Sequence, residues 1–346
     1  MTEYSPMLSN LKLRKNPQKY TKVIVNPRFC YLRPKKQTDD TFPSEIFYGL
    51  QKKRKFIHPK FFYNEKGSYL FEKISSLDEY YLTRAESEIL DTIKDRMSAY
   101  LRNDYSLIEF GSGSALKTRK LLEALTQMQD LIEYYPIDIS YILKESSLNL
   151  QKDYLNLRIT GIIDHYESGL DFVRSIEQSR LLVFLGSSLG NFDSTEAIEF
   201  LRKIHDSMKK DDYFLLGLDL VKNKQILERA YNDSKGITAQ FNLNLLTRIN
   251  EEFGGNFDLK NFEHVSFFNE KQKRIEMHIR SKIDQEILLS RADVTIKFKK
   301  SEMILTEYSH KYTIDQIHTL AKKSGFKVKE IWKDKNEYFA LVLFSL

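Results

Sequence analysis

The chain has one cysteine, Cys30, in 346 residues. A single cysteine excludes an internal disulfide and a cysteine metal cluster, and Cys30 is read as an inert thiol. No run approaches the roughly eighteen uninterrupted apolar residues that a membrane span needs, and the N-terminus lacks the apolar core of a signal peptide. No membrane partner and a cytoplasmic location are therefore expected. The seven histidines show no H-x-H or H-E-x-x-H spacing, and no catalytic Cys/His or G-x-S-x-G arrangement is present. These absences speak against metal-dependent and acyl-transfer chemistry, so no metal site is assigned. Internal repeats and low-complexity tracts are lacking too.

What is present is enough for a substantial core, with 41% apolar residues and 13% aromatics, in a length that suits two domains or one domain with an insertion. The net charge of +6 is unevenly spread: residues 1–60 hold fourteen Lys/Arg against four Asp/Glu, and the remainder is slightly acidic. The densest run, Lys52-Lys-Arg-Lys55, reads as a solvated face. It has no interleaved aromatics, so a nucleic-acid partner is disfavoured.

From Tyr105 the pattern becomes regular, with strands at 106–110, 133–138, 158–163, 181–186 and 213–219 and helices at 115–128, 140–154, 168–177 and 194–209. Alternation of this kind predicts right-handed βαβ units and a parallel sheet covered on both faces. After Asp219 the rhythm breaks: 224–253 reads as helical, and 262–280 and 292–309 each contain two strand-like runs. A helix at 313–324 and strands at 326–332 and 337–344 then close the chain, as in many methyltransferases. Upstream, residues 1–22 are polar, basic and aperiodic, Val23 to Val25 suits a short strand, and 43–90 suggests short helices broken by Pro59 and Gly67. The expected division is a basic tail at 1–27, a substrate-binding domain from 28–84 and 222–311, and a cofactor-binding domain from 85–221 and 312–346.

The first strand runs into Gly111-Ser-Gly-Ser114. Two glycines can take positive φ and let backbone N–H groups at the next helix start approach a ligand, which suits a nucleotide-type pocket; an ordinary βα turn is the alternative. The other strands deliver Asp138, Asp164-His165, Gly186-Ser-Ser-Leu-Gly-Asn191 and Asp219 to the same edge of the sheet, where open α/β folds bind ligands. Without the third glycine of the dinucleotide fingerprint, methyl transfer from S-adenosylmethionine fits better than hydride transfer. Asp138 is placed to accept from ribose hydroxyls, and Asp164-His165 lies near an adenine. Capping of the following helix is the alternative role for each aspartate. Three further polar clusters lie in apolar surroundings: Glu79-Tyr-Tyr81, Ala230-Tyr-Asn-Asp233 and Thr306-Glu-Tyr-Ser-His310. Taken singly, each suits packing as well as binding, but alternation puts Glu307 and Ser309 on one strand face.

These stretches together resemble a known family. Leu70-Phe-Glu-Lys-Ile, Glu79-Tyr-Tyr-Leu-Thr-Arg-Ala-Glu86, Glu109-Phe-Gly-Ser-Gly with Lys117-Thr-Arg119, Pro136-Ile-Asp138, Phe184-Leu-Gly-Ser-Ser-Leu-Gly-Asn191, Asp219-Leu-Val-Lys222, Ala230-Tyr231, Thr238-Ala-Gln-Phe-Asn-Leu-Asn244, Arg274-Ile-Glu-Met277 and Thr306-Glu-Tyr-Ser309 are similar to the histidine-specific Nα-methyltransferases of ergothioneine biosynthesis. The similarity runs from about Pro43 to the C-terminus.

The resemblance implies an α/β fold, a class I methyltransferase-type Rossmann-like sheet with an inserted α+β substrate-binding domain. It also implies an enzyme that trimethylates the α-amino group of L-histidine to hercynine, with S-adenosylmethionine as cofactor. By position, Gly111, Lys117, Asp138, Asp164 and His165 match cofactor-binding residues. Tyr80, Asn191 and Tyr231 match residues on the substrate carboxylate, Glu307 and Ser309 those on the imidazole, Met277 lines the imidazole pocket, and Tyr63 matches the tyrosine beside the amino nitrogen. Departures are Leu82 where the family often has proline, His165 where an aromatic such as phenylalanine is usual, and Ser188-Leu189 for Thr-Ile. A monomer acting on a small molecule is expected. The alternatives are a methyltransferase of the same fold acting on another amino acid or small amine, and a non-catalytic protein whose basic tail binds nucleic acid.

Overall fold

A computed structural model describes residues 19–35, 41–101, 104–140 and 142–346. Residues 1–18 of the tail expected at 1–27 lie outside the described residues. The main body is a nine-stranded sheet. Its parallel centre consists of β4 (Tyr105–Phe110), β5 (Ile132–Ile137), β6 (Leu157–Ile162), β7 (Ser179–Phe184) and β8 (Tyr213–Asp219). The connecting helices are α4 (Leu116–Thr126), α5 (Ile142–Asp153), α6 (Tyr166–Val173) and α7 (Ser194–Ser207). The order β6-β5-β4-β7-β8 puts the topological switch at β4, the strand that feeds the glycine loop. α10 (Ile314–Ser324) and the antiparallel strands β14 (Lys327–Lys333) and β15 (Phe339–Ser345) complete the far edge. α10 has a Thr313/Gln316 capping box and ends on Gly325 at φ 92°, the left-handed stop its sequence implies.

The opposite edge departs from the sequence reading. β1 (Tyr20–Asn26) and β2 (Phe29–Pro34) form a hairpin, and β2 pairs in parallel with β6. Residues 20–27 are therefore part of a sheet, and 28–34 join the large sheet and not the smaller unit. Phe29, Cys30 and Leu32 are buried there, an apolar set too short and too interrupted by charge to stand out as a strand.

The smaller unit has α1 (Thr41–Gln51), β3 (Lys55–Phe56), α2 (Glu65–Ser75), α8 (Lys224–Ala230) and α9 (Ile237–Phe253) around a four-stranded sheet, whereas α3 (Tyr81–Ile93) packs against α4 and β15 of the large sheet. That sheet is ordered β3-β13-β10-β9, with β9 (Phe262–Asn269), β10 (Arg274–Ser281) and β13 (Met303–His310) antiparallel. A separate hairpin of β11 (Gln285–Leu289) and β12 (Val294–Phe298) lies between them, and β11 is a strand the sequence pattern did not single out. Pro59 opens a short 3-10 turn, as a breaker should, but Gly67 sits inside α2. Its role is close approach: a Cβ there would lie 1.8 Å from the carbonyl oxygen of Phe62.

Alternation along the central strands feeds two cores. Leu107, Leu181, Val183 and Leu215 face a cluster that continues through Phe62 and Phe241 to Ile275 and Ile304 of the smaller unit. Ile108, Phe110, Leu182 and Phe214 face α7 and α10. The smaller unit thus packs on one face of the large sheet through shared apolar contacts. Among the described residues no helix is long and apolar enough to cross a membrane.

Candidate active site

The carboxyl ends of the central strands open onto a cavity of about 590 Å3, a volume in the range of small-molecule sites. Gly111 takes φ 71°, and a Cβ on it would lie 2.7 Å from the Tyr166 hydroxyl. Any side chain there would meet both backbone strain and a clash. Asp138 is buried and accepts from the N–H of Gly113 at 3.2 Å and of Ser140 at 2.9 Å. Burial pushes its carboxyl up, and the N–H groups of Ser140 and Gly113 draw it back. Ser140 serves the start of α5 itself, accepting from the Ile142 N–H, so Asp138 supports the loop and still lines the cavity.

Lys117 also lines the cavity, its ammonium 2.7 Å from Glu86. Glu86 is fully buried and accepts from the Gly186 N–H at 2.9 Å, so it joins the loops after β4 and β7. Glu109, beneath the glycine loop, accepts from Tyr134 at 2.6 Å and Thr118 at 2.7 Å. Burial pushes its carboxyl up to about 7. Ser112 adds a buried hydroxyl on the same wall. A glycine cradle, a carboxylate, an ammonium and a hydroxyl converging on one cavity suit a ligand with ribose hydroxyls and an amino-acid end. S-adenosylmethionine has both.

Asp164 lies just past β6 beside His165: one oxygen accepts from the Tyr20 hydroxyl at 2.7 Å and the other from the His165 N–H at 2.7 Å. His165, the next residue, does line the cavity. Tyr20 was absent from the candidate set because it lies in the stretch read as tail.

On the other side, Tyr63, Tyr80 and Asn191 reach the cavity. Tyr63 ends the 3-10 turn Pro59–Phe62 and packs edge-on against Phe71 and Phe241. Phe71 meets Tyr80, and Tyr80 meets Tyr231, giving a continuous aromatic wall. Asn191 is carried by a loop in which Gly190 lies against β13; a Cβ there would be 3.0 Å from the His310 carbonyl oxygen.

Tyr231, Met277, Glu307 and Ser309 form a layer behind this wall. Met277 is paired with Glu307 and Ile275 with Ser309, and the register shifts just before Glu307, leaving Thr306 unpaired in the ladder. Such a bulge re-aims the side chains that follow it. Ser309 Oγ is 2.8 Å from the Tyr231 hydroxyl, both buried. Tyr231 is also held at its carbonyl by His264 and Ser266. Surrounding protein pushes the Glu307 carboxyl up to about 7, while Lys311 draws it down. Burial first, then the charge of Glu307, raises the Tyr63 hydroxyl well above its ordinary value, and the charge of Asp138 adds to the rise. Tyr63 therefore feels the acids of both ends of the site.

Lys311 was also missed. It is fully buried and contacts Ser309, Tyr231 and Asp219. The signal was available: 307, 309 and 311 fall on one face by alternation, and a lysine in that series is out of place in an apolar strand.

A family model described as histidine-specific methyltransferase, SAM-dependent, matches residues 42–346. The chain is 37% identical over 300 residues to a histidine N-alpha-methyltransferase of Mycobacterium tuberculosis, spanning 86% of this chain and 93% of that protein. It is 30% identical over 282 residues to ergothioneine biosynthesis protein 1 of Neurospora crassa, spanning 80% of this chain and 32% of that one. An L-tryptophan methyltransferase of Psilocybe serbica is 26% identical over 290 residues, spanning 76% and 80% of the two chains.

Proposed function

The chain belongs to the histidine-specific, S-adenosylmethionine-dependent methyltransferase family, and on that premise we propose that it trimethylates the α-amino nitrogen of L-histidine to hercynine. The observation that carries this reading is that Tyr63, Tyr80 and Asn191 line the same cavity as Gly111, Lys117 and Asp138.

In this reading Gly111, Lys117, Asp138 and His165 hold S-adenosylmethionine, with Asp164 fixing the loop at His165 from behind. When bound, the cofactor supplies an electrophilic methyl group on its sulfonium. Residues 222–311 with the segment before α3 act as the substrate-selecting domain. Asn191, Tyr80 and Tyr231 serve the substrate carboxylate, and Met277 packs along the ring. Glu307 accepts a ring N–H, and Ser309 serves the second ring nitrogen. An indole has one N–H and no second ring nitrogen, so it leaves Ser309 unserved; phenylalanine leaves Glu307 unpaired as well.

Nucleophilic attack needs a neutral amine, and an α-amino pKa of about 8 supplies a usable fraction near neutrality. Tyr63, its hydroxyl held far above the ordinary range, stays protonated and orients the nitrogen without acting as a base. Positioning then supplies much of the acceleration. The wall of Tyr63, Phe71, Tyr80 and Phe241 gives the amine an apolar surface to turn against as methyls accumulate. The reading extends to a monomer that acts on a small molecule in the cytosol. Incubation with S-adenosylmethionine and the twenty amino acids tests the reading: hercynine is the expected dominant product, and methylation of another amino acid in preference to histidine overturns it.

A further inference from the structure

Beneath Ser309 and Tyr231 lies an ion cluster that the methyl-transfer chemistry does not itself require. Lys311 has no exposed side-chain surface, and its ammonium is 2.7 Å from Asp219 Oδ2, 2.8 Å from Ser309 Oγ and 3.0 Å from the Tyr231 hydroxyl. Asp219 is equally buried and also accepts from Tyr81 and Lys222. Burial by itself would raise its carboxyl, but Lys311 and then Lys222 outweigh that and hold it below the ordinary range. Asp219 is therefore ionised across the neutral range.

An ammonium has three protons and no acceptor. All three protons of Lys311 are committed, so Ser309 and Tyr231 must each accept one. The two hydroxyls share a further proton across their own 2.8 Å contact, and only one hydroxyl proton is left to leave the cluster. Lys311 thus fixes where both oxygens sit and how much hydrogen bonding they can offer outward.

Building on the reading of histidine as acceptor, we propose that Lys311 is a positioning residue for substrate specificity, which locks the Ser309–Tyr231 pair so that Tyr231 gives its one outward proton to the substrate carboxylate while Ser309 Oγ accepts from the second ring N–H. It touches neither reacting atom. Removing it frees both hydroxyls to rotate and leaves lone pairs where the substrate needs a fixed partner. Such a loss falls on histidine affinity and on the preference for histidine over phenylalanine, and not on the donor end.

The test compares the full-length protein with Lys311→Met, Ser309→Ala, their combination, and Lys311→Arg, by calorimetry with S-adenosylhomocysteine alone and then with L-histidine added. Lys311→Met is expected to weaken histidine by about tenfold or more while S-adenosylhomocysteine stays within about twofold. The double variant is expected to be no worse than the poorer single variant by more than about twofold, because both changes act on one contact. In turnover, KM for histidine rises and kcat at saturation holds within about threefold. Histidine affinity within twofold of the parent in Lys311→Met, or losses that multiply in the double variant, overturns the proposal. Should Lys311→Met lose S-adenosylhomocysteine binding through misfolding, Lys311→Arg decides: it keeps the cation against Asp219 but moves the donors. An arginine variant that binds the cofactor product normally yet is about tenfold weaker for histidine supports the proposal, and one unchanged for histidine overturns it. Failure of the parent protein to bind histidine at all would instead strike the functional reading on which this one is built.

Discussion

The donor end of the cavity is made mostly of main chain, whereas the acceptor end is made of side chains brought together from distant segments. At the donor end, Gly111 to Ser114, Asp138 and His165 follow directly from the ends of successive strands. At the acceptor end, Tyr63, Tyr80, Asn191, Tyr231 and the Glu307–Ser309 pair come from five stretches separated by whole helices or strands, and a buried ion pair braces them from below. The difference teaches where each property resides. A backbone cradle varies little with side-chain identity and suits a constant cofactor, while a side-chain constellation can be retuned and suits a chosen substrate.

If that division is real, changes at one end should leave the other nearly untouched. The largest effect is expected from Glu307→Ala, which removes the acid proposed to accept from the ring: kcat/KM for histidine should fall about a thousandfold, with S-adenosylhomocysteine affinity by calorimetry within about twofold. Loss of both together would break the comparison. Asp138→Ala should do the converse, weakening S-adenosylhomocysteine by about 10- to 100-fold while KM for histidine at saturating cofactor changes little.

A smaller effect is expected on stability. The Glu307 carboxyl is pushed from 4.5 up to about 7 in the native state, so its stabilising contribution is complete at low pH and is lost as pH rises through that value. Glu307→Gln should therefore raise the melting temperature of the ligand-free protein by a few degrees near pH 8 and hardly at all near pH 5. The same titration makes histidine affinity of the parent improve as pH rises through about 7, and this dependence should disappear in the glutamine variant. The smallest effect sharpens the donor side: Tyr20→Phe removes the hydroxyl on Asp164, and it should weaken S-adenosylhomocysteine by about two- to fivefold without changing histidine discrimination.

The same division explains what could be read from the sequence. The β4 strand, its glycine loop and Asp138 are local features whose spacing dictates their geometry, and they lie where expected. Glu307 and Ser309 were legible as a pair because strand alternation is local too. Which wall they stand behind was not, since that depends on β13 lying against Gly190 and on Tyr231 arriving from α8. Tyr20 escaped because the hairpin at 20–34 gains its order from β6, more than a hundred residues away. The contact of Tyr20 with Asp164 was hidden for the same reason, since it forms only once the hairpin is in place. Gly67 was misread as a breaker because the reason for a glycine there, the Phe62 carbonyl, appears only once α2 is packed.

The central claim is one of orientation: Glu307, Ser309 and Lys311 hold the ring so that Tyr63 and the methyl donor meet the α-nitrogen. Turnover of L-histidine with S-adenosylmethionine carrying an isotopically labelled methyl group, followed by NMR of the product, tests it most directly. The account predicts label on the α-nitrogen alone; label on a ring nitrogen, or none on histidine, would contradict it.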